Sequence, residues 1–313
     1  MSCPPEETAI KHEFVKEPLD ADIAAMQQRW QDSGIPDLYE GGDPSASRER
    51  ARNVRSVFYP WPKLPKGRIE RLTIPGPAGE IPVRIVWPHE GEAKGTLVYL
   101  HGGGWIVGDL DSHELHAVRL ANRCGIAVVN VDYRLAPEHL FPAAIEDAFA
   151  GVQWAAAHLV RLGGEDQPIA IGGDSAGGNL AFATSWMARD AGMKLKAQLL
   201  IYGVGNLSGE RIDGPGARYL GPDYKTLCKD PRASPIRANL AGAAHAIVGV
   251  GMHDFLYQDN LDFVEALEKA GVGVTLRIYP SLNHGFFSFT AISKACEDAA
   301  DQLCDDLARV LRG

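Results

Sequence analysis

Gly-Gly-Asp-Ser-Ala-Gly-Gly at residues 172–178 decides the fold of this chain. A short apolar run at residues 168–171 precedes it, and a helix-forming run at residues 179–187 follows it. A strand, a tight turn and a helix around Gly-x-Ser-x-Gly are typical of a nucleophile elbow, which lifts a serine hydroxyl clear of a sheet. Gly173 and Gly177 suit so sharp a turn because they carry no Cβ that would clash. The sequence therefore predicts a nucleophilic serine at the end of a strand.

This short pattern also has simpler explanations. Glycine accounts for 34 of the 313 residues, so a bare Gly-x-Ser-x-Gly can arise by chance. A glycine-rich turn at a strand end can also bind a phosphate group or be a plain loop. The interpretation of Ser175 as a nucleophile therefore depends on what the rest of the chain supplies.

The composition is that of a globular protein and argues against polyanionic partners. Hydrophobic residues make up 45% of the chain, charged residues make up 23%, and the formal net charge is −9. Nucleic acids and anionic membranes both demand basic patches, so we expect neither as a partner. No apolar run approaches the ~18 residues of a membrane span, and the polar N-terminus does not resemble a signal peptide. Five scattered cysteines predict reduced thiols in a cytoplasmic protein, namely Cys3, Cys124, Cys228, Cys296 and Cys304.

Strand-like and helix-like segments alternate from about residue 66 onward. The predicted strands are Ile69–Ile74, Ile81–Trp87, Thr96–Leu100, Ile126–Val131, Ile169–Ile171, Ala197–Tyr202, Ala246–Val250 and Val274–Tyr279. The predicted helices span about 113–123, 143–160, 177–191, 257–270 and 291–311. Near-continuous Val/Ile/Leu runs are typical of parallel strands, while the first two segments alternate and suit an antiparallel hairpin. The sum predicts an α/β fold, a mostly parallel sheet of about eight strands with helices on both faces.

Residues 1–65 differ from this pattern and predict a small helical region. Asp20 is a candidate N-cap of a first helix, and an arginine-rich second helix follows. We expect this region to cap one end of the sheet formed by residues 66–313, with a plain extension packed against its side as the alternative. Residues 203–232 are rich in glycine and proline and are a candidate second cap segment.

A serine nucleophile needs hydrogen-bond donors for the oxyanion that forms on the attacked carbonyl. His-Gly-Gly-Gly-Trp at residues 101–105 directly follows the predicted strand at residues 96–100. Consecutive glycines let backbone N–H groups turn inward and approach a substrate oxygen closely. The N–H group of Ala176, the residue after the serine, is the second predicted donor. The alternative for the glycine triplet is a flexible loop.

The serine also needs a base, and His284 is the best placed of the ten histidines. It follows the predicted strand at residues 274–279, and catalytic groups gather at such strand ends. Asp254 follows the strand at residues 246–250 and would hold the His284 tautomer. Asp259 is the fallback acid, although it is predicted to lie inside the next helix. The chain order serine, aspartate, histidine is the one expected on an α/β-hydrolase scaffold.

Two further histidines, His113 and His116, share a predicted helix. Their spacing does not match the His-Glu-x-x-His of a zinc site. We therefore expect both side chains on the solvated face of that helix.

Several motifs occur in order between about residues 95 and 290. They are His101-Gly-Gly-Gly-Trp105, Gly108-Asp109, Asp132-Tyr-Arg-Leu-Ala-Pro-Glu138, Phe141-Pro-Ala-Ala144, Gly173-Asp-Ser-Ala-Gly177-Gly178, Asp230-Pro-Arg-Ala-Ser-Pro235, Asp254-Phe-Leu256 and His284-Gly-Phe286. Together they resemble the hormone-sensitive-lipase-like branch of the α/β-hydrolases, the bacterial family IV carboxylesterases. The aspartate before the serine, Asp174, resembles the GDSAG subgroup of that family.

This resemblance implies a catalytic triad, an oxyanion hole and no cofactor or metal. The implied triad is Ser175, Asp254 and His284. The implied oxyanion-hole residues are Gly103, Gly104 and Ala176. The stretch at residues 133–138 is interpreted as structural, with Arg134 and Glu138 expected to pair rather than to catalyse.

The chain departs from the family pattern in two places. The family reads Asp-Pro-Leu at the acid, and Phe255 here replaces the proline, which we expect to shift the loop but keep the carboxylate. The segment between Tyr202 and Asp230 is short and glycine-rich, where relatives carry an aromatic-rich cap helix. We expect no such helix here and a more open or more mobile acyl pocket.

We predict a serine carboxylesterase that hydrolyses short-to-medium acyl esters through an acyl-enzyme intermediate. The first alternative is an amide, formamide or specialised acetyl-ester hydrolase that uses the same triad. The second is a non-catalytic ligand receptor on the same scaffold, which His284 disfavours because such receptors lose the base. The expected partner is a small-molecule ester, and the resemblance also allows a homodimer.

Overall fold

The structure of the chain, a computed structural model, describes residues 15–208 and 214–313. The expectation that the N-terminus is not a signal peptide, together with Cys3, falls on residues 1–14 and lies outside the described residues. No helix within the described ranges is long and apolar enough to cross a membrane. The four cysteines in those ranges are free, as predicted, and all four are buried.

One sheet of eight strands forms the centre of the described chain. The strands are β1 (Ile69–Gly76), β2 (Gly79–Val86), β3 (Thr96–Leu100), β4 (Ala127–Val131), β5 (Ile169–Asp174), β6 (Ala197–Ile201), β7 (His245–His253) and β8 (Val274–Asn283). Across the sheet their order is β1-β2-β4-β3-β5-β6-β7-β8. The β1–β2 and β2–β4 pairs are antiparallel and the other pairs are parallel, which confirms the predicted sheet.

Helices cover both faces of this sheet, as predicted. They are α1 (Ala21–Asp32), α2 (Pro44–Phe58), α3 (Glu114–Cys124), α4 (Ala143–Ala157), α5 (Leu159–Leu162), α6 (Ala176–Asp190), α7 (Pro215–Leu220), α8 (Tyr224–Leu227), α9 (Tyr257–Lys269) and α10 (Lys294–Arg312). Helices α4, α6 and α9 contribute to the core on one face, and α3 and α10 contribute to the core on the other. Every residue of β3, β4, β5 and β6 is buried, as expected for strands covered on both sides.

Several strands are longer than the sequence predicted, and the additions at the ends of β7 and β8 matter for the site. Strand β7 continues to His253 and β8 continues to Asn283. Their pairing runs through an irregularity between Gly251 and His253, after which His253 pairs with Asn283. The residues that follow, Asp254 and His284, therefore leave the sheet side by side at its carboxyl edge.

The N-terminal segment, residues 15–65, forms the two predicted helices. The Asp20 carboxylate accepts hydrogen bonds from two backbone N–H groups in the first turn of α1, so Asp20 is the N-cap that the sequence predicted. The segment contacts loops that follow strands β3 and β4, where Arg48 donates to the Ile106 carbonyl and pairs with Glu138 at 2.7 Å. The N–H of Asp20 also donates to the Ser281 carbonyl of β8.

Asp132, directly after β4, provides a test of the electrostatics at this edge of the sheet. Burial, followed by the charges of Asp109 and Asp111, raises its pKa to about 6, against a lowering effect of Arg84. The unfolded chain releases this proton at lower pH, so the free energy of unfolding falls as pH rises towards 6 and stays lowered above it.

We expect Asp132→Asn to remove this penalty. At pH 8 the variant should melt about 2 °C higher than the wild type, and the difference should shrink as the pH falls to 5. Thermal unfolding at both pH values measures it. The exposed Asp166→Asn is the matched control and should show no such pH-dependent gain. An Asp132→Asn variant that melts lower than the wild type at pH 8 would contradict the assignment.

Candidate active site

Ser175 lies in a strained turn between β5 and α6. Its φ is +53°, a value that non-glycine residues seldom adopt. Its backbone N–H donates to the Ile201 carbonyl of β6, and its carbonyl accepts from Asn179 in α6, so the turn is held from both sides. Backbone strain of this kind concentrates at functional sites. The side chain stays partly exposed at the carboxyl edge of the sheet.

The two flanking glycines allow this turn, as the sequence predicted. A Cβ on Gly173 would lie 2.4 Å from the Leu100 carbonyl oxygen of β3, and one on Gly177 would lie 1.9 Å from the same atom. Both distances are far below van der Waals contact. Helix α6 can therefore start this close to β3 only where side chains are absent.

The structure brings together the three side chains that the sequence singled out. His284 Nε2 lies 2.9 Å from Ser175 Oγ, and His284 Nδ1 lies 2.8 Å from Asp254 Oδ2. They come from three strand ends, after β5, β7 and β8. The Asp254 side chain is fully buried, and its Oδ1 accepts a hydrogen bond from the Leu256 N–H at 2.7 Å.

This chain of hydrogen bonds can transfer a proton from the Ser175 hydroxyl to His284. With Nδ1–H donating to Asp254, the Nε2 lone pair of His284 is free to accept the Ser175 proton. A base within hydrogen-bond reach of a serine hydroxyl can activate it for attack on a carbonyl. The fallback acid, Asp259, lies inside α9 as expected, and its Oδ2 accepts from the Gly205 N–H at 2.7 Å. It therefore serves a different part of the structure.

The glycine-rich loop after β3 is ordered by its own contacts. Gly103 has a φ of +125°, and its carbonyl accepts from the N–H groups of Ile106 and Val107. Tyr133 stacks on the His101 ring at 4.3 Å and donates to the His101 carbonyl at 2.6 Å. These contacts hold the loop in one conformation, so the alternative of a flexible loop does not apply. That Gly103, Gly104 and Ala176 donate to an oxyanion stays a prediction.

His101 is buried beneath this loop. Its hydrogen-bond partners within the described residues do not include Ser175. Burial, followed by the charge of His113, lowers its pKa to about 4, so the imidazole is neutral near pH 7. Its Nδ1 lies 2.8 Å from the Gly102 carbonyl oxygen. His101 therefore orders the loop rather than acting as a base.

Two aromatic rings flank the His284 imidazole. The Tyr202 ring lies 4.8 Å from it and is buried, and the Phe255 ring lies 4.6 Å from it on the outer side. Phe255 is 75% exposed, an unusual position for so large an apolar side chain. The family departure at Phe255 therefore keeps the carboxylate of Asp254 on His284, as expected, and places an aromatic surface beside the site.

The prediction for His113 and His116 was wrong, since both side chains are buried beneath the elbow. They face Asp174, with His113 Nε2 at 3.6 Å from Oδ2 and His116 Nδ1 at 3.9 Å from Oδ1. Oδ1 of Asp174 also accepts from the Tyr99 hydroxyl at 2.7 Å and the Gly102 N–H at 3.0 Å. The physical reason is that this buried carboxylate draws polar partners under the sheet edge.

Asp174 therefore connects the elbow to the glycine-rich loop, a role that the sequence analysis did not assign to it. Burial alone would raise its pKa, but His113, His116 and the Tyr99 hydroxyl together hold the pKa of Asp174 below its ordinary value. The ionised carboxylate ties the residue before the nucleophile to the N–H of Gly102 in the glycine-rich loop. The one signal for it in the sequence is an acidic residue inside an otherwise apolar and glycine-rich elbow.

The set His113, His116 and Asp174 is also the group of ligand-type side chains, within residues 15–208 and 214–313, that comes closest to a metal site. Their ligand atoms lie within 4.8 Å of one another. Ligands on one zinc ion lie about 3.4 Å apart, and Asp174 already accepts two hydrogen bonds. The arrangement fits a buried, hydrogen-bonded carboxylate with two imidazoles beside it better than a metal centre.

Two further predictions about the surroundings need correction. Residues 203–232 do contain short helices, α7 and α8, although no cap helix was expected there. Tyr219 of α7 is buried and stacks on Trp105 of the glycine-rich loop, with ring centroids 4.7 Å apart. Arg134 and Glu138 do form ion pairs, but with other partners, since Arg134 pairs with Asp147 at 2.8 Å.

Comparison with known proteins identifies the family. A family model described as the α/β hydrolase fold matches residues 97–288, which is more than half of the chain. The chain belongs to the α/β-hydrolase family. The sheet order agrees with this fold. The match also confirms the hormone-sensitive-lipase-like branch that the motifs resembled.

Three similar proteins are ester hydrolases by name. The chain is 36% identical to the carboxylic ester hydrolase LipN of Mycobacterium tuberculosis, over 92% of this chain and 82% of LipN. It is 37% identical to the carboxylesterase NlhH of the same species, over 84% of this chain and 88% of NlhH. Among solved structures, the hyperthermophilic esterase of the archaeon Pyrobaculum calidifontis matches with a TM-score of 0.86 and 34% identity, covering 94% of this chain and 99% of that one.

Proposed function

We propose that this α/β-hydrolase is a serine carboxylesterase. The observation that carries the proposal is the hydrogen-bond chain from Ser175 through His284 to Asp254, with distances of 2.9 and 2.8 Å. The relatives named as carboxylic ester hydrolases support the choice of ester substrates. A receptor that had lost its chemistry would not need the base that this chain keeps in hydrogen-bond contact with the serine.

The proposed reaction proceeds in two halves. Ser175 Oγ attacks the ester carbonyl while His284 Nε2 takes its proton, and the N–H groups of Gly103, Gly104 and Ala176 stabilise the oxyanion. His284 then protonates the leaving alcohol, and an acyl-enzyme remains. Water activated by His284 attacks this acyl-enzyme, and the acid is released. Asp254 stabilises the imidazolium in both halves.

The surroundings suggest how substrates reach the serine. We propose that the N-terminal helices, α1 and α2, cap the carboxyl edge of the sheet, because Arg48 contacts the loop after β3 through the Ile106 carbonyl. Residues 203–232 would form the second part of the cap, with Tyr219 packed on the glycine-rich loop. The reduced thiols support the proposal of a cytoplasmic enzyme. A homodimer stays a prediction.

A chain-length series of p-nitrophenyl esters, from acetyl to dodecanoyl, tests the function and sizes the acyl pocket. We expect kcat/KM to peak at short-to-medium acyl chains and to fall steeply towards dodecanoyl. The matching p-nitroanilides are the control for an amide hydrolase and should react far more slowly. A folded protein that hydrolyses no ester of the series would overturn the proposal, and preferential anilide hydrolysis would replace it with an amidase.

A further inference from the structure

A small cavity lies between α2, α3 and the segment that follows His284. Its volume is about 10 Å³, which is room for one water-sized particle. The polar or partly polar residues that line it are two arginines, one histidine, three hydroxyl-bearing residues and one tryptophan, namely Arg55, Arg119, His116, Tyr59, Ser288, Thr290 and Trp61. No carboxylate is among the described residues that line it. The residues of the cavity wall therefore carry positive charge, and the carboxylate that pairs with Arg119, that of Asp301, lies outside the lining.

Arg119 of α3 presents an unused donor in this part of the structure. Its side chain is only 7% exposed, and its Nη1 donates to Asp301. Its Nη2 is buried and makes no hydrogen bond to any residue of the described chain, with Glu297 Oε1 no closer than 4.0 Å. A buried charged donor without an acceptor is costly, so an acceptor at this position would be stabilising.

Arg55 of α2 provides the second positive charge. Within residues 15–208 and 214–313 its guanidinium makes no ion pair or hydrogen bond, and it lies 5.3 Å from the centre of the Trp61 ring. Burial lowers its pKa, although the charge of Asp174 partly opposes that effect. The Asp174 carboxylate is already engaged by Tyr99 and Gly102 and leaves Arg55 without an acceptor in contact.

The remaining polar groups of the cavity are neutral donors. Burial, followed by the charge of His113 and then by Arg55 and Arg119, lowers the pKa of His116 well below its ordinary value, despite an opposing effect of Asp174. The charged groups among the lining residues are therefore the two guanidinium groups, and the imidazole and hydroxyl groups beside them are neutral. His116 Nε2 lies 3.2 Å from the Ser288 Oγ.

We propose that this cavity binds one small monovalent inorganic anion of the size of chloride. Arg55 and Arg119 would supply charged N–H donors, and Ser288 and Thr290 would supply hydroxyl donors. The volume leaves no room for a phosphate or a carboxylate. The bound anion joins the cap helix α2 to α3 and to the segment four to six residues after His284, so it stabilises the docking of the cap beside the site.

Thermal unfolding at constant ionic strength tests the binding without reference to enzymatic activity. Sodium chloride should raise the melting temperature of the full-length wild type by about 3 °C relative to sodium gluconate, in a saturable manner. Arg55→Gln should lose this rise. Arg52→Gln is the matched control, because Arg52 lies exposed on the same helix, and it should keep the rise.

Diffraction from crystals grown in sodium bromide locates the anion directly. An anomalous peak between Arg55 and Arg119 supports the site, and its absence in Arg55→Gln supports the assignment of the donor. Equal melting temperatures in chloride and gluconate, or a chloride effect that survives Arg55→Gln, would overturn the proposal and leave a water molecule as the occupant.

The effect on catalysis rests on the proposed esterase function and is a separate readout. If the cap is anchored by the anion, kcat/KM for p-nitrophenyl acetate should rise over the same chloride range as the melting temperature. A rise in melting temperature without any esterase activity would leave the anion site standing and reject the proposed function instead.

Discussion

Replacement of Ser175 by alanine should lower kcat/KM for a short p-nitrophenyl ester by about 10⁴-fold or more. The substitution removes the one atom that His284 Nε2 contacts in the proposed site, the Oγ at 2.9 Å. It leaves the turn itself intact, because the Ser175 N–H and carbonyl make the hydrogen bonds that hold the elbow. The folded structure should therefore persist while the covalent step is lost.

Initial rates on purified protein, beside melting curves, measure this effect. The exposed Ser56→Ala is the control for serine removal at a distance and should match the wild type. A double variant, Ser175→Ala with His284→Ala, should lose little more than Ser175→Ala alone, because residues that act as one unit are not additive. Retention of more than about one per cent of wild-type activity in Ser175→Ala would identify a different nucleophile.

The sheet was predictable because its central strands carry one unambiguous signal. β3 and β4 are short runs dominated by apolar residues such as leucine and valine, and such runs are found where both faces are covered. The ends of β7 and β8 were not predictable from the same signal, because His253 and Asn283 are polar. Their strand conformation is set by pairing with each other, a contact between distant parts of the chain.

The three side chains at the strand ends were predictable for a topological reason. Parallel strands bring their carboxyl ends to one edge, so residues directly after β5, β7 and β8 must meet there. His113 and His116 could not be placed in this way, because a polar residue on a helix predicts exposure unless its partner is known. Their partner is Asp174, a buried charge that only the folded structure brings under α3.

The short helix α7 was missed because its length is set by tertiary contacts. Six residues form too short a helix to be stable alone, and glycines surround it. Stacking of Tyr219 on Trp105 and its edge contact with Phe141 provide the stabilisation instead. Neither contact can be inferred from local periodicity.

Replacement of Gly177 by alanine is expected to have the largest effect on stability. The new Cβ would lie 1.9 Å from the Leu100 carbonyl oxygen and 2.6 Å from that of His101, both backbone atoms of the neighbouring strand and its loop. No rotamer change relieves a backbone clash, so α6 must move away from β3. We expect a loss of about 3 kcal/mol or more in the free energy of unfolding, or failure to accumulate as folded protein.

Gly95→Ala is the matched control, because the Cβ added there comes no closer than 3.2 Å to another atom, Ile126 Cγ2, and 3.4 Å to the nearest backbone atom, the Pro168 carbonyl oxygen. Thermal melting of both variants should show a fall of roughly 6 °C or more for Gly177→Ala and a small change for Gly95→Ala. A Gly177→Ala variant with wild-type melting temperature would show that α6 and β3 are not in the close contact described.

The same close contact connects stability to chemistry. The carboxyl end of β3 runs directly into the glycine-rich loop that carries Gly103 and Gly104, and the start of α6 carries Ala176. A helix displaced from β3 by one methyl group moves the Ala176 N–H and Ser175 relative to that loop. The fraction of Gly177→Ala protein that folds should therefore show a larger fall in kcat than rise in KM. The reason is that oxyanion stabilisation acts in the transition state. Gly95→Ala, at the opposite end of β3, should leave kcat unchanged.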